Sequence, residues 1–219
     1  MLQHVYERAS MAHHLSRVII ATDDRRVWEV ARSFGAEVRM TRPDHASGTD
    51  RVAEAAAAED APIVVNIQGD EPLIDPHAID LAILPLVHDP GVAMCTLMKR
   101  IEDPREIADP NVVKVVTSLA GDAIYFSRSP IPYERDAGAR RACFKHIGLY
   151  VYRRDLLLSY SALPPGPLET SERLEQLRAL ENGIAIRVVE TDYDSIGVDT
   201  PEDLEKVSRL FEQCATEGH

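Results

Sequence analysis

The sequence predicts an α/β fold built on a doubly wound, mostly parallel sheet. Short apolar runs of strand length alternate along the chain with segments of helical periodicity. Those runs are continuous rather than alternating, as strands covered on both faces require. The chain has 219 residues, below the roughly 250–300 at which one core stops growing, so one domain spanning residues 1–219 is expected.

Leu2, Val5, Tyr6, Ala9 and Leu15 recur near helical spacing, which predicts a helix over residues 2–15. Arg17-Val-Ile-Ile-Ala-Thr-Asp23 reads as a buried strand. Residues 24–34 are helical up to the stop at Gly35, 37–40 form a short strand, and 49–60 form an alanine-rich helix leading to a strand over 62–68. Beyond residue 76 come another helix, a strand over 92–97, and two β-rich runs, 112–117 and 123–127, which Gly121-Asp122 turns into a hairpin. A loop with Pro130 and Pro132 precedes a strand over 146–152; a single helix over 168–182 ends at Gly183, and a strand and helix close the chain. No repeat, linker or low-complexity segment divides it.

A helix that feeds a buried parallel strand is the crossover half of a βαβ unit, which needs a strand before it. In doubly wound sheets the loop after such a strand commonly holds phosphate at the next helix N-terminus. On this expectation the chain is N-terminally incomplete, starting one strand and one loop late.

With 45% hydrophobic and 27% charged residues the chain is of ordinary globular composition. Its 36 acids against 24 bases give a net charge of −12, which argues against a general nucleic-acid or anionic-membrane binder, because polyanion binding needs Lys and Arg to displace counterions. One nucleotide bound locally with a metal ion is compatible with that charge. Cys95, Cys143 and Cys214 have no CxxC spacing, so neither a zinc site nor a disulfide framework is expected, and a reducing cytoplasmic compartment fits. The first residues lack a continuous apolar stretch, so neither signal peptide nor membrane anchor is expected there. Sequences of the GxGxxG, Walker A, HExxH and GxSxG types are absent.

Val64-Val-Asn-Ile-Gln-Gly-Asp-Glu-Pro72 ends a buried strand in acids, where open α/β sheets bind ligands. Asp70 is a candidate Mg²⁺ ligand, since that hard cation prefers carboxylate oxygen and needs few protein ligands; a plain turn also accounts for the same residues. In Gly197-Val-Asp-Thr-Pro-Glu-Asp203, Thr200, Pro201 and Asp203 form a helix entrance, which leaves Asp199 as a second ligand or a solvated acid. Arg42-Pro-Asp-His-Ala-Ser-Gly-Thr-Asp-Arg51 is a polar loop running into a helix, able to read a nucleobase or merely to cap. Phe126-Ser-Arg-Ser-Pro-Ile-Pro-Tyr-Glu-Arg135 sets Arg128 and Arg135 around a proline-stiffened loop; each suits a carboxylate, or is a solvated arginine. Alternation puts His146, Gly148 and Tyr150 on one strand face and Ile147, Leu149 and Val151 on the other, apolar one. Glu172, Glu175 and Gln176 fall together on the charged side of a helix whose core side is Leu174 and Leu177.

These segments, with Ile20-Ala-Thr-Asp23, Asn111-Val-Val-Lys-Val-Val116 and Leu174-Glu-Gln-Leu-Arg178, run in order over essentially the whole chain. Together they resemble the 3-deoxy-manno-octulosonate cytidylyltransferases. The resemblance implies a homodimer of nucleotide-diphospho-sugar transferase type, with a β-rich insertion used for dimerisation. It implies transfer of CMP from CTP to the anomeric hydroxyl of 3-deoxy-manno-octulosonate (Kdo), giving CMP-Kdo and pyrophosphate for lipopolysaccharide synthesis. By the same resemblance Asp70 and Asp199 would hold Mg²⁺, and His45, Ser47, Gly48 and Arg51 would surround the cytidine. Gln68, Arg128, Arg135, His146, Tyr150, Glu175 and Gln176 would contact the sugar acid. Family members begin with a strand and a phosphate-gripping loop that has no counterpart here. Activation of another sugar acid, such as sialic acid or an amino-substituted Kdo, and a non-catalytic sugar-acid-binding or dimerisation module are the alternatives.

Overall fold

A computed structural model of the chain describes residues 1–135, 142–198 and 200–217, of which 212–217 are described by their backbone alone. In order these form α1 (Leu2–Ala9), β1 (Ile19–Thr22), α2 (Arg25–Ser33), β2 (Glu37–Met40), α3 (Gly48–Ala57), β3 (Ile63–Asn66) and α4 (Pro76–His88). There follow β4 (Met94–Arg100), α5 (Pro104–Ala108), β5 (Lys114–Thr117), β6 (Ala123–Ser127), β7 (Phe144–Arg153) and α6 (Arg154–Tyr160). The remainder is α7 (Pro167–Glu172), α8 (Leu177–Glu181), β8 (Arg187–Glu190) and α9 (Pro201–Glu217). The α/β class and the hairpin stand as the sequence predicts.

Helix starts follow their local chemistry. Asp24, Ser47 and Asp75 each accept a backbone N–H of the helix they precede, and Pro76 fills the first helical position of α4. Thr200 and Asp203 form the reciprocal capping pair at the start of α9. Helix α1 ends earlier than its periodicity predicts. The Asp80 carboxylate accepts the N–H groups of His13 (3.0 Å) and His14 (2.8 Å), which a longer helix would have used internally.

β7 organises the main sheet. It pairs antiparallel with β4 along one edge, while β3 and β5 share the other edge at opposite ends. β8 pairs parallel with β4. Strands β3, β4, β5 and β8 therefore run one way, and β7 and β6 run against them. One face packs Ile147, Leu149, Val151, Cys95 and Leu97 under α1 and α4. The other packs Tyr152, Met94, Val115 and Phe126 against α3, α6 and α8. Burial pushes the Cys95 thiol up to about 12, so it behaves as a core residue.

β1 pairs parallel with β2 as a separate two-stranded sheet. Between β1 and β3 lies a cavity of about 870 Å³, lined by Leu2, Val5, Ile19, Ile20, Ile63 and Val65 among others. Each of these strands has one edge without a partner strand among the described residues.

Lys114, in the middle of a valine run, is fully buried. Its ammonium donates to the carbonyls of Asp109 (2.8 Å), Val112 (2.6 Å) and Arg128 (2.6 Å). Three donors meet three acceptors, which is the condition for burying a lysine. Lys114→Met keeps most of the stem and removes every donor. It is expected to lower the unfolding free energy by at least about 2 kcal/mol, read by urea denaturation.

Candidate active site

The loop after β3 carries the first group of candidates. Asn66 pairs with Tyr150 in the sheet, after which the chain exposes Gln68 and leaves Asp70 half-buried. The Asp70 carbonyl accepts the Val198 N–H (2.9 Å), which ties this loop to the segment leading to position 199. Asp199 itself lies outside the described residues. Glu71 is buried and takes hydrogen bonds from Tyr193 (3.3 Å) and Ser195. Burial raises its carboxyl above the ordinary range, against the Ser195 hydrogen bond, and the Asp70 charge adds to the rise. Glu71 is thus an anchor for the 193–198 segment, while the Asp70 carboxylate has no side-chain partner among the described residues. Those residues contain no group of three or more His, Cys, Asp or Glu side chains able to hold a metal.

The start of α3 brings the second group together. Ser47 accepts the Asp50 N–H (3.2 Å) as N-cap, and Gly48 opens the helix. The His45 ring is buried, with Nε2 against the Glu54 carboxylate. Arg51 donates to Thr41 Oγ1 (2.6 Å) and pairs with Asp23 (3.2 Å), joining the ends of β1 and β2 to α3.

The third group lies along β7. His146 and Tyr150 share a face with ring centroids 5.3 Å apart, and the stack continues through Tyr152 (6.0 Å) to Tyr160 (5.9 Å). Burial lowers His146 to about 3, so its ring is neutral, and burial raises the Tyr150 phenol well above its ordinary range. The Tyr150 hydroxyl and Asp50 Oδ1 are buried atoms without a hydrogen-bond partner among the described residues. An orphaned hydroxyl of this kind calls for an explanation, and a ligand is one.

The turn between α7 and α8 closes the site. Tyr160 donates to the Glu175 carbonyl (3.0 Å), and the Glu175 carboxyl reaches Thr49 and Ser47 at the start of α3. Burial raises that carboxyl, against the Thr49 and Ser47 hydrogen bonds and the Arg178 charge. Gln176 is buried beside it in the chain. The sequence predicts one helix over 168–182; the structure breaks it at Arg173, whose φ of 52° is left-handed. Arg128 supplies the reason. Its guanidinium donates to the carbonyls of Glu172 (2.7 Å), Arg173 (3.5 Å) and Pro110 (2.9 Å), taking two carbonyls that a continuous helix would use. A left-handed residue with a side chain costs about 1–2 kcal/mol, which these hydrogen bonds offset.

His45, Ser47, Gly48 and Arg51 therefore share one loop and helix start, and His146 and Tyr150 share one face. Glu175 links the two: its carboxyl reaches Ser47 and Thr49, and its carbonyl accepts the hydroxyl of Tyr160 at the end of the ring stack. Arg128 is turned inward onto carbonyls, and Arg135 is exposed on its loop. Sequence reasoning gave Glu71 and Thr96 no role and placed Glu172 on the charged side of a helix. Glu172 accepts from Ser127 (2.7 Å) and the Arg128 N–H (2.9 Å) rather than facing solvent. Thr96 is fully buried against His146. Lys114 did leave a signal: a lone lysine within five valine and threonine residues is a buried lysine.

A family model described as "Cytidylyltransferase" matches residues 1–188. The 3-deoxy-manno-octulosonate cytidylyltransferase of Solibacter usitatus (strain Ellin6076) is 73% identical over 218 residues, covering 100% of this chain and 86% of its own. That of Geobacter metallireducens (strain ATCC 53774 / DSM 7210 / GS-15) is 57% identical, covering 94% and 85%. A solved CMP:2-keto-3-deoxy-manno-octonic acid synthetase in complex with CTP superposes with a TM-score of 0.93 at 46% identity, over 97% of this chain and 87% of that one.

Arg128 serves its three carbonyls from three different nitrogens spread across the planar fork; Arg128→Lys puts a single nitrogen in their place and is expected to cost about 1–3 kcal/mol of stability in urea denaturation. Burial pushes the Glu172 carboxyl up, but the Arg128 N–H and the Ser127 and Tyr125 hydroxyls outweigh it and hold the group below its usual range. The unfolded chain then binds more protons, so this contribution is present above the unfolded pKa and lost as pH falls through the folded one. Glu172→Gln should flatten the acid limb of the stability profile below about pH 5, where the wild type steepens.

Proposed function

Because the chain belongs to the cytidylyltransferase family, we propose that it transfers CMP from CTP to the anomeric hydroxyl of Kdo, releasing pyrophosphate and forming CMP-Kdo for lipopolysaccharide synthesis. The observation that carries this reading is the 73% identity, over the whole chain, to a 3-deoxy-manno-octulosonate cytidylyltransferase. The site geometry fits it: a polar loop at a helix start stands next to a face with a neutral histidine and an unpaired buried hydroxyl.

Catalysis of this type rests on positioning and charge neutralisation more than on covalent chemistry. The loop bearing His45, Ser47, Gly48 and Arg51 receives the cytidine. His146, Tyr150, Glu175 and Gln176 receive the sugar acid, with Gln68 and Arg135 at the rim. Three guanidinium N–H groups of Arg128 lie on carbonyls, and an arginine has five, so two remain for the sugar carboxylate. Arg128 would then both shape the Glu175–Gln176 turn and touch the substrate. The free Asp70 carboxylate suits a hard divalent cation, with Mg²⁺ the expected one, and Asp199 is the second ligand by resemblance. Such an ion neutralises charge at the phosphate and lowers the pKa of a bound hydroxyl.

The proposed assembly is a homodimer formed through the β5–β6 region. Leu119 in its turn, Ile124 on β6 and Tyr133 in the following loop are exposed, and they support that reading. A cytoplasmic location is proposed with it. Cys95 and Cys143 are free thiols, and among the described residues no helix is long and apolar enough to cross a membrane. Residues 1–219 read as one nucleotidyltransferase domain, whose cavity between β1 and β3 has room for a further strand.

Asp70→Asn is expected to remove most pyrophosphate release from CTP and Kdo while leaving the melting curve unchanged, because it deletes one anionic oxygen at constant volume. Near-normal turnover at millimolar Mg²⁺ would take Asp70 out of the metal site. Mass detection of the nucleotide sugar from a panel of Kdo, amino-substituted Kdo and sialic acid identifies the acceptor, and Kdo is expected to dominate. A chain lengthened ahead of α1 by an apolar strand and a short loop should melt higher, since the strand would pair two open edges; an equal midpoint would show that the cavity takes no strand.

A further inference from the structure

We propose that Thr96 is a positioning residue that fixes His146 in the Nε2–H tautomer, so that Nδ1 presents a lone pair as an obligate acceptor for a hydroxyl of the bound sugar acid. Thr96 Oγ1 lies 2.9 Å from the Leu149 carbonyl, 3.0 Å from the Ile147 carbonyl and 3.0 Å from His146 Nε2. Carbonyl oxygens only accept, and a threonine hydroxyl has one proton. If that proton went to Nε2, the hydroxyl lone pairs would face two carbonyl oxygens at contact distance, which is repulsive. The proton therefore goes to the carbonyls, and Nε2 must donate to Oγ1. A neutral imidazole that donates at Nε2 is an acceptor at Nδ1.

His146 Nδ1 has no hydrogen-bond partner among the described residues, and it is not among their fully buried unpaired atoms. His146 is partly exposed rather than fully buried. Gly148 lies between His146 and Tyr150 on the same face, and a Cβ placed there would meet nothing within 4 Å. Burial keeps the ring neutral, which preserves the distinction between its two nitrogens. The face thus offers one group that can only accept and, at Tyr150, one hydroxyl able to do either. A ligand with a hydroxyl directed at Nδ1 satisfies it, whereas an analogue with an acceptor there does not.

The inference rests on the reading of His146 as a sugar-acid contact, and its test separates the two. Long-range proton–nitrogen spectra of the ligand-free, histidine-labelled protein should show a protonated Nε2 and an unprotonated Nδ1 at His146. A protonated Nδ1, or an even mixture, would overturn the inference and leave the contact itself standing. Thr96→Val keeps the volume and removes the hydroxyl; it should give a mixture of tautomers and weaken Kdo binding by about tenfold in calorimetry, with CTP binding changed by less than about twofold. Thr96→Ser should restore both, and a Thr96→Val protein that binds Kdo normally would overturn the recognition role. His146→Ala with unchanged Kdo affinity would overturn the contact reading, whatever the tautomer. Should Thr96→Val fail to fold, the wild-type spectrum and Thr96→Ser still decide the assignment.

Discussion

The ladder between β4 and β7 slips its register at one place, and the arrangement of both cores and the site depends on that slip. β4 moves from Thr96 to Leu97 while β7 moves from Tyr150 to Ile147, so β7 spends two extra residues, Gly148 and Leu149. The Thr96 hydroxyl is placed between the carbonyls of Ile147 and Leu149 and satisfies a stretch that the ladder leaves open. Because two residues are inserted rather than one, alternation is preserved: Ile147, Leu149 and Val151 stay in one core and His146, Tyr150 and Tyr152 stay on the other face. A one-residue slip would have put the histidine and the tyrosines on opposite faces, with one or the other turned into the apolar layer.

Two cations hold the far side of the site by the same means. Lys114 and Arg128 direct their donors at main-chain carbonyls of loops that have left regular structure. Lys114 binds the Arg128 carbonyl and Arg128 binds the Pro110 carbonyl, so the two reinforce one another across the start of β5 and the end of β6. The result is a turn at Arg173 fixed in a left-handed conformation, from which Glu175 reaches Ser47 and Thr49. A site whose supporting groups are locked by packing and hydrogen bonds loses little order when substrate arrives. In a chain with a net charge of −12, these cations are invested in shaping the pocket rather than in a general attraction for anions.

Elements whose cause is local were legible in the sequence. The alternation across residues 146–152, the Gly121-Asp122 hairpin and the Thr200–Asp203 pair all follow from periods and offsets of a few residues, and the structure has each of them. The grouping of His45, Ser47, Gly48 and Arg51 was legible for the same reason, since one loop and one helix turn carry all four.

What only the tertiary structure decided are contacts between residues far apart in the chain. Glu172 looked like part of a solvated helix face, and Arg128, 44 residues away, turned it inward. Asp80 ended α1 early from 66 residues away. Thr96 sits in an apolar strand and has no local signature of its contact with a histidine 50 residues on. Periodicity reports which face of an element meets the core, because burial acts on every turn or every second residue. It carries no record of which donor meets which carbonyl, because that pairing exists only once the layers have closed.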